Sequence, residues 1–226
     1  LKQASRNAQD GISLIQTTEG ALNETHAILQ RMRELVVQAG NLGTNAEDDL
    51  SAIQDEVTQL IQEIDGISQR TAFNGKSLLT GEFAASDSAL VFQIGANTNQ
   101  TVKLTIKNMA ASQLGLGSSS NVASVSAIKI ESGFDFDDTL KVVDKAIEEV
   151  SKQRSALGAM QNRLEHTIAN LDNAAENLSA AESRIRDVDM AAEMMEFTKN
   201  NILQQAATAM LAQANMAPQL VLQLLG

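Results

Sequence analysis

The chain has 226 residues, with 17 basic against 28 acidic side chains and a formal net charge of -11, the wrong sign for neutralising phosphates and so an argument against nucleic-acid binding. It holds no Cys, no Trp and no Tyr, and six Phe are its only aromatic residues. Disulfides, thiol catalysis and thiolate metal sites are thereby excluded, and Ala, Leu, Ile, Val and Met must fill the core, which suits helix-on-helix packing.

The only proline is Pro218, so nothing upstream breaks a helix at the cost of about 3 kcal/mol that an interior proline imposes. From about Leu1 to Ala39, Ile15, Leu22, Leu29 and Val36 recur at a constant spacing beside a parallel row of Leu14, Ala21, Ile28 and Leu35. Together they predict one amphipathic helix with a wide apolar stripe, ending at Gly40. Gly43-Thr44-Asn45 supplies turn and N-cap chemistry for a second helix from about Ala46 to Gln69. Its apolar face is Leu50, Ile53, Val57, Leu60, Ile64 and Ile67, and Glu47, Asp48 and Asp49 place negative charge at the positive end of its dipole.

Glycines then cluster between residues 66 and 133, marking a mixed middle. The runs 89–94 and 101–106 are β-rich and predict a hairpin with a longer loop. Residues 115–126 are expected to form an exposed, flexible loop. Beyond it lies the longest helix, in which Val143, Val150, Leu157, Leu164, Leu171, Leu178 and Ile185 hold one heptad position apolar over roughly 63 Å. A helix of that length buries its stripe only against other helices. Its second seam position is partly polar at Arg154, Gln161 and Glu182, which favours a bundle with the first two helices over a two-stranded coiled coil.

After Lys199 the final 27 residues carry no charge. Ile202, Leu203, Met210, Leu211, Leu220, Leu222 and Leu225 alternate with amides, eight of them in all, a poor pattern for the run of about 20 apolar residues that spans a membrane. In water the segment exposes more apolar surface than a monomer usually tolerates, so it reads as an interaction helix buried by a partner.

Several stretches resemble bacterial flagellin. They are Asn7-Ala-Gln-Asp-Gly-Ile-Ser-Leu-Ile-Gln16, Glu19-Gly-Ala-Leu22, Gln30-Arg-Met-Arg-Glu-Leu-Val-Val-Gln38, Phe73-Asn-Gly-Lys76, Gln161-Asn-Arg-Leu-Glu-His166, Ala181-Glu-Ser-Arg-Ile-Arg-Asp-Val-Asp-Met-Ala191, Asn201-Ile-Leu and Gln213-Ala-Asn215. The resemblance covers both flanks. It implies a mainly α protein, an elongated rod-like helical bundle with a small β-hairpin region and a carboxy-terminal assembly helix. The expected parts are residues 1–72 and 136–189 as the flanking helices of the rod, 73–135 as the variable hairpin region, and 190–226 as the inner-tube and chaperone-binding segment. It also implies further residues ahead of Leu1, including a helix that pairs with the tail, and hence a trimmed chain that does not polymerise by itself.

The resemblance further implies a structural subunit of the filament, exported from the cytoplasm to the extracellular flagellum, with other flagellin subunits and the flagellin export chaperone as expected partners. Arg31, Leu35 and Glu56 match the family positions credited with contact to Toll-like receptor 5; the bland alternative is a solvated helix face over a core leucine. Ser183-Arg-Ile-Arg-Asp-Val-Asp189 reads as a subunit contact or as the cap and stop of a long helix, Asp187 and Asp189 being reasonable caps, and the resemblance implies that it is the junction between the rod and the terminal helix. Ser118-Ser-Ser120 reads as a linker with room for sugars. His26 and His166 lie in no His-Glu-x-x-His pattern, and no catalytic residue, metal site or cofactor site emerges. A hook–filament junction protein, or a trimmed flagellin acting only as a receptor or chaperone ligand, are the alternative readings.

Overall fold

The computed structural model describes residues 1–41, 43, 46–117, 121–186 and 190–224, residues 217–224 by their backbone alone. It is mainly α, with four long helices, α1 (Lys2–Ala39), α2 (Glu47–Arg70), α3 (Phe136–Arg186) and α4 (Met190–Leu224), and two small antiparallel hairpins between α2 and α3. The chain divides into two units, Leu1–Ala175 and Glu176–Gly226.

In the first unit one core joins α1, α2, the hairpin region and α3. The α1 stripe is shut in completely, with Ile15, Leu22, Leu29 and Val36 all at zero exposure. Leu50, Ile53, Val57 and Ile64 are buried from α2, and Val143, Val150, Leu157 and Leu164 from α3. Helices α1 and α3 run antiparallel. Along them, Gly40 lies against the Phe136 ring, Arg33 pairs with Asp144 at 2.7 Å, Glu19 meets Arg154 at 3.8 Å, and Gly11 lies against Leu164. That register advances almost one for one, so Leu1 is reached opposite about residue 174. Along the expected heptad, Leu171 is only partly buried, and Leu178 and Ile185, expected in the packing stripe, are 62% and 88% exposed.

Helix α2 begins after Ala46, whose N–H donates to the Asp49 carboxylate at 3.0 Å; the expected cap residues Thr44 and Asn45 lie outside the described residues. For α3 the first turn is held by Asp135, which accepts from the Asp138 N–H at 3.1 Å in the manner of an N-cap.

Strands β1 (Ala72–Phe73) and β2 (Lys76–Ser77) flank Asn74-Gly75, both at positive φ, the backbone that a tight two-residue hairpin turn requires. The second hairpin pairs β3 (Leu90–Gln93) with β4 (Thr101–Leu104) in the register Leu90 to Leu104 and Gln93 to Thr101. It is shorter than the expected 101–106 because two partners pull the chain out of the ladder. The Thr105 carbonyl accepts from Gln153, and the Ile106 N–H donates to Phe83.

The described residues of 105–117 and 121–131 then lie along the helices as a strap. Of the expected exposed loop 115–126, Leu116, Gly117, Asn121, Ala123 and Ser126 are exposed, while Gly115, Ser124 and Val125 are buried. Side chains of the helices bind the strap's backbone: Asp65 accepts from Ala111 at 2.8 Å, Glu149 from Gly115 at 3.0 Å, and Gln54 from Ile130 at 2.5 Å. Such partners answer the hydrogen-bonding demand of backbone that belongs to no helix or sheet. Ser118-Ser-Ser120 lies outside the described residues.

Candidate functional site

Helix α4 arises from a run of good helix formers, Ala, Leu, Met and Gln, without the segregated apolar and charged faces of a helix that packs on its own domain. Every described side chain from Met190 to Met216 is exposed. Met194, Met195, Ile202 and Leu203 line an open apolar groove along it, with Thr198 and Lys199 at the edge. Of the residues expected to carry assembly, Ile202, Leu203, Met210 and Leu211 are all more than half exposed. Leu220 and Leu222 are placed by helix backbone only, and Leu225 lies outside the described residues, as do Asp187 and Asp189. Within the same unit, Leu178, Ala181 and Ile185 form a second apolar strip, flanked by the Arg186–Glu182 ion pair at 3.0 Å.

The second candidate surface lies on the first unit, where α1 and α2 pack side by side. Arg31 on α1 donates through Nε to Glu56 of α2 at 2.8 Å and through a terminal nitrogen to Glu34 at 3.2 Å. The hydrogen bond that Glu56 accepts, with the one Glu34 accepts beside it, holds the guanidinium pKa above its ordinary value. Arg31 and Glu56 are therefore brought together in space, both about half-exposed. Leu35 is not part of that surface. It is 1% exposed, and the expectation that it touches a partner directly is corrected: it sits in the core beneath.

Two features went unseen in the sequence. The Asn74-Gly75 turn had a recognisable signal, since Asn-Gly between short apolar runs is a strong hairpin mark. The strap clamps Gln54, Asp65, Glu149 and Gln153 had none, because each looks like any polar residue on a helix. Among the described residues, no group of three His, Asp or Glu is placed to hold a metal ion, and no helix is long and apolar enough to cross a membrane.

The family model of the bacterial flagellin N-terminal helical region matches residues 1–84, and that of the bacterial flagellin C-terminal helical region matches residues 140–225. The chain is 59% identical over 245 aligned residues to the flagellin of Bacillus subtilis, covering all of this chain and 81% of that relative. Among solved structures, the flagellin of Bacillus cereus superposes with a TM-score of 0.54 at 30% identity, over 78% of this chain and 94% of that one. A Vibrio parahaemolyticus protein assigned as flagellar hook-associated reaches a TM-score of 0.66, over 81% of this chain and 90% of that one, but at 15% identity it shares the fold alone. The strap and the β3–β4 hairpin thus lie in the interval between the two matched regions, whereas the clamping side chains and the β1–β2 hairpin lie inside them, and α4 lies inside the second. On this evidence the chain belongs to the bacterial flagellin family, whose members are structural subunits of the flagellar filament.

Proposed function

We propose that this flagellin is exported and polymerises into the extracellular filament by burying α4 among other subunits. The observation that supports this is the state of α4: a long helix with every described side chain from Met190 to Met216 exposed and no charge after Lys199. Apolar area of that extent is worth about 25 cal/mol per Å² when removed from water, and a contact between unlike faces of successive copies generates an open helical polymer. Before export the same helix is the segment a flagellin export chaperone captures, the two uses being separated in time. A chain lacking residues 201–226 should neither join filament seeds nor be retained by the chaperone, while its first unit still folds. Incorporation at the rate of the intact chain would overturn the reading.

A second reading is supported by the Arg31–Glu56 pair, an ion pair across two helices that stays accessible. Arg is favoured at interface centres because its planar fork makes several hydrogen bonds beside apolar contact. We infer that this surface is recognised by Toll-like receptor 5, with Leu35 acting from beneath by fixing the position of α1.

A further inference from the structure

Eight methionines occur in the chain, and the structure sorts them into two populations. Met32 and Met109 are buried at 0% and 2% exposure, and Met160 packs against the core of the first unit. The other five, Met190, Met194, Met195, Met210 and Met216, all lie on α4 and are 53–69% exposed. There is no Cys, Trp or Tyr to compete for an oxidant. Thioether sulfur is the side-chain atom in this protein that a two-electron oxidant attacks first, and it is displayed on the helix proposed to drive assembly.

We propose that these five methionines form a reversible oxidation site that switches assembly off. A sulfur lone pair attacks one oxygen of hydrogen peroxide, the O–O bond breaks, and an S–O bond forms. The thioether loses two electrons to become a sulfoxide, and the departing hydroxide takes a proton to leave as water. Each event turns a flexible apolar side chain into a polar, chiral one. Met194 and Met195 share the groove with Ile202 and Leu203, so the new oxygen appears where apolar contact is needed.

The surroundings offer that oxygen little. Helix backbone N–H groups are already engaged along α4, and beyond Lys199 there is no cationic side chain on it to pair with a sulfoxide near Met210 or Met216. Burying an unpartnered polar group is unfavourable, so an oxidised helix is rejected at the point of packing. Once packed, the thioethers are screened from solvent. The switch therefore acts on free subunits and spares assembled ones, and methionine sulfoxide reductases of both epimer specificities reset it, a dithiol giving up two electrons and two protons to become a disulfide while the sulfoxide oxygen leaves as water. This inference rests on the assembly role proposed for α4.

The test uses monomers of the flagellin carrying this sequence, as the bacterium makes it, treated with hydrogen peroxide and mapped by peptide mass spectrometry. Gains of about 16 Da per oxygen are expected on the five α4 methionines and not on Met32 or Met109. Addition to filament seeds should slow by about tenfold or more, the scale of one unpartnered polar group in an interface, and recover after treatment with the two reductases. In a variant with all five changed to Leu, the seed-elongation rate, whatever its own value, should be the same with and without peroxide. Oxidised wild-type monomers that add at the untreated rate, oxidation spread equally to Met32 and Met109, or a rate that the reductases fail to restore would each overturn the switch. The chain lacking residues 201–226 separates the two ideas. Seed addition that survives that deletion overturns the assembly role of α4, whereas addition that needs α4 but ignores oxidation overturns the switch alone.

Discussion

Arg31 and Leu35 are one helical turn apart on α1, yet they do opposite work. Arg31 lies on the surface and is tied to Glu56 and Glu34; Leu35 is in the core. Exposed ion pairs of this kind add little to stability because water and salt screen them. Arg31→Ala should therefore leave helicity and melting temperature unchanged while lowering receptor activation by roughly tenfold or more, the effect of removing an interface centre. Circular dichroism and a reporter-cell titration measure the two arms, and a folded variant that signals like the parent would remove the receptor reading. Gly115 illustrates another residue-scale constraint. It sits at φ +72°, and a Cβ there would fall 2.6 Å from the Val142 carbonyl oxygen, so only glycine lets the strap lie this close to α3.

Among the elements, α3 carries one apolar pattern through two environments. Its heptad row is uniform in sequence, but burial ends after Leu164 and exposure is complete by Ile185. Leu157→Ala should destabilise the first unit by about 2–5 kcal/mol, the cost of an unfilled core cavity. Leu178→Ala should change monomer stability by less than about 0.5 kcal/mol and instead weaken polymer growth. Thermal melts of both monomers alongside seed-elongation rates make the comparison; equal loss of stability would mean that the two ends of the stripe are packed alike. Hairpin β3–β4 teaches the converse. Its alternation was legible, whereas its end was not, because Gln153 and Phe83 compete for the backbone of residues 105 and 106 from distant parts of the chain.

At the scale of the whole molecule, the two units differ in what holds them. The first has a continuous core, while α4 has helix hydrogen bonds and no described side chain buried as far as Met216. Isolated helices are marginal in water, and local opening is easiest where apolar contacts are few. Amide exchange of the monomer should thus be slow at the core positions of α1 and α3 and orders of magnitude faster along α4, with α4 becoming protected on polymerisation. Equal protection of both units in the monomer would contradict the assembly role of α4.

What the amino-acid order settled by itself was local: three long helices from the spacing of apolar residues, a β-rich middle from its glycines and alternating strands, a tail helix without charge, and motifs specific enough to indicate the family. What tertiary structure decided was which of those residues meet. It placed Leu35 in the core and Glu56 beside Arg31, clamped the backbone of Ala111, Gly115 and Ile130 to helix side chains, and ended full burial of the α3 stripe at Leu164. The physical reason is range. Propensity and periodicity act over a few turns of chain, but burial and hydrogen-bond satisfaction are settled between residues as far apart as Gly11 and Leu164, whose proximity only the fold creates.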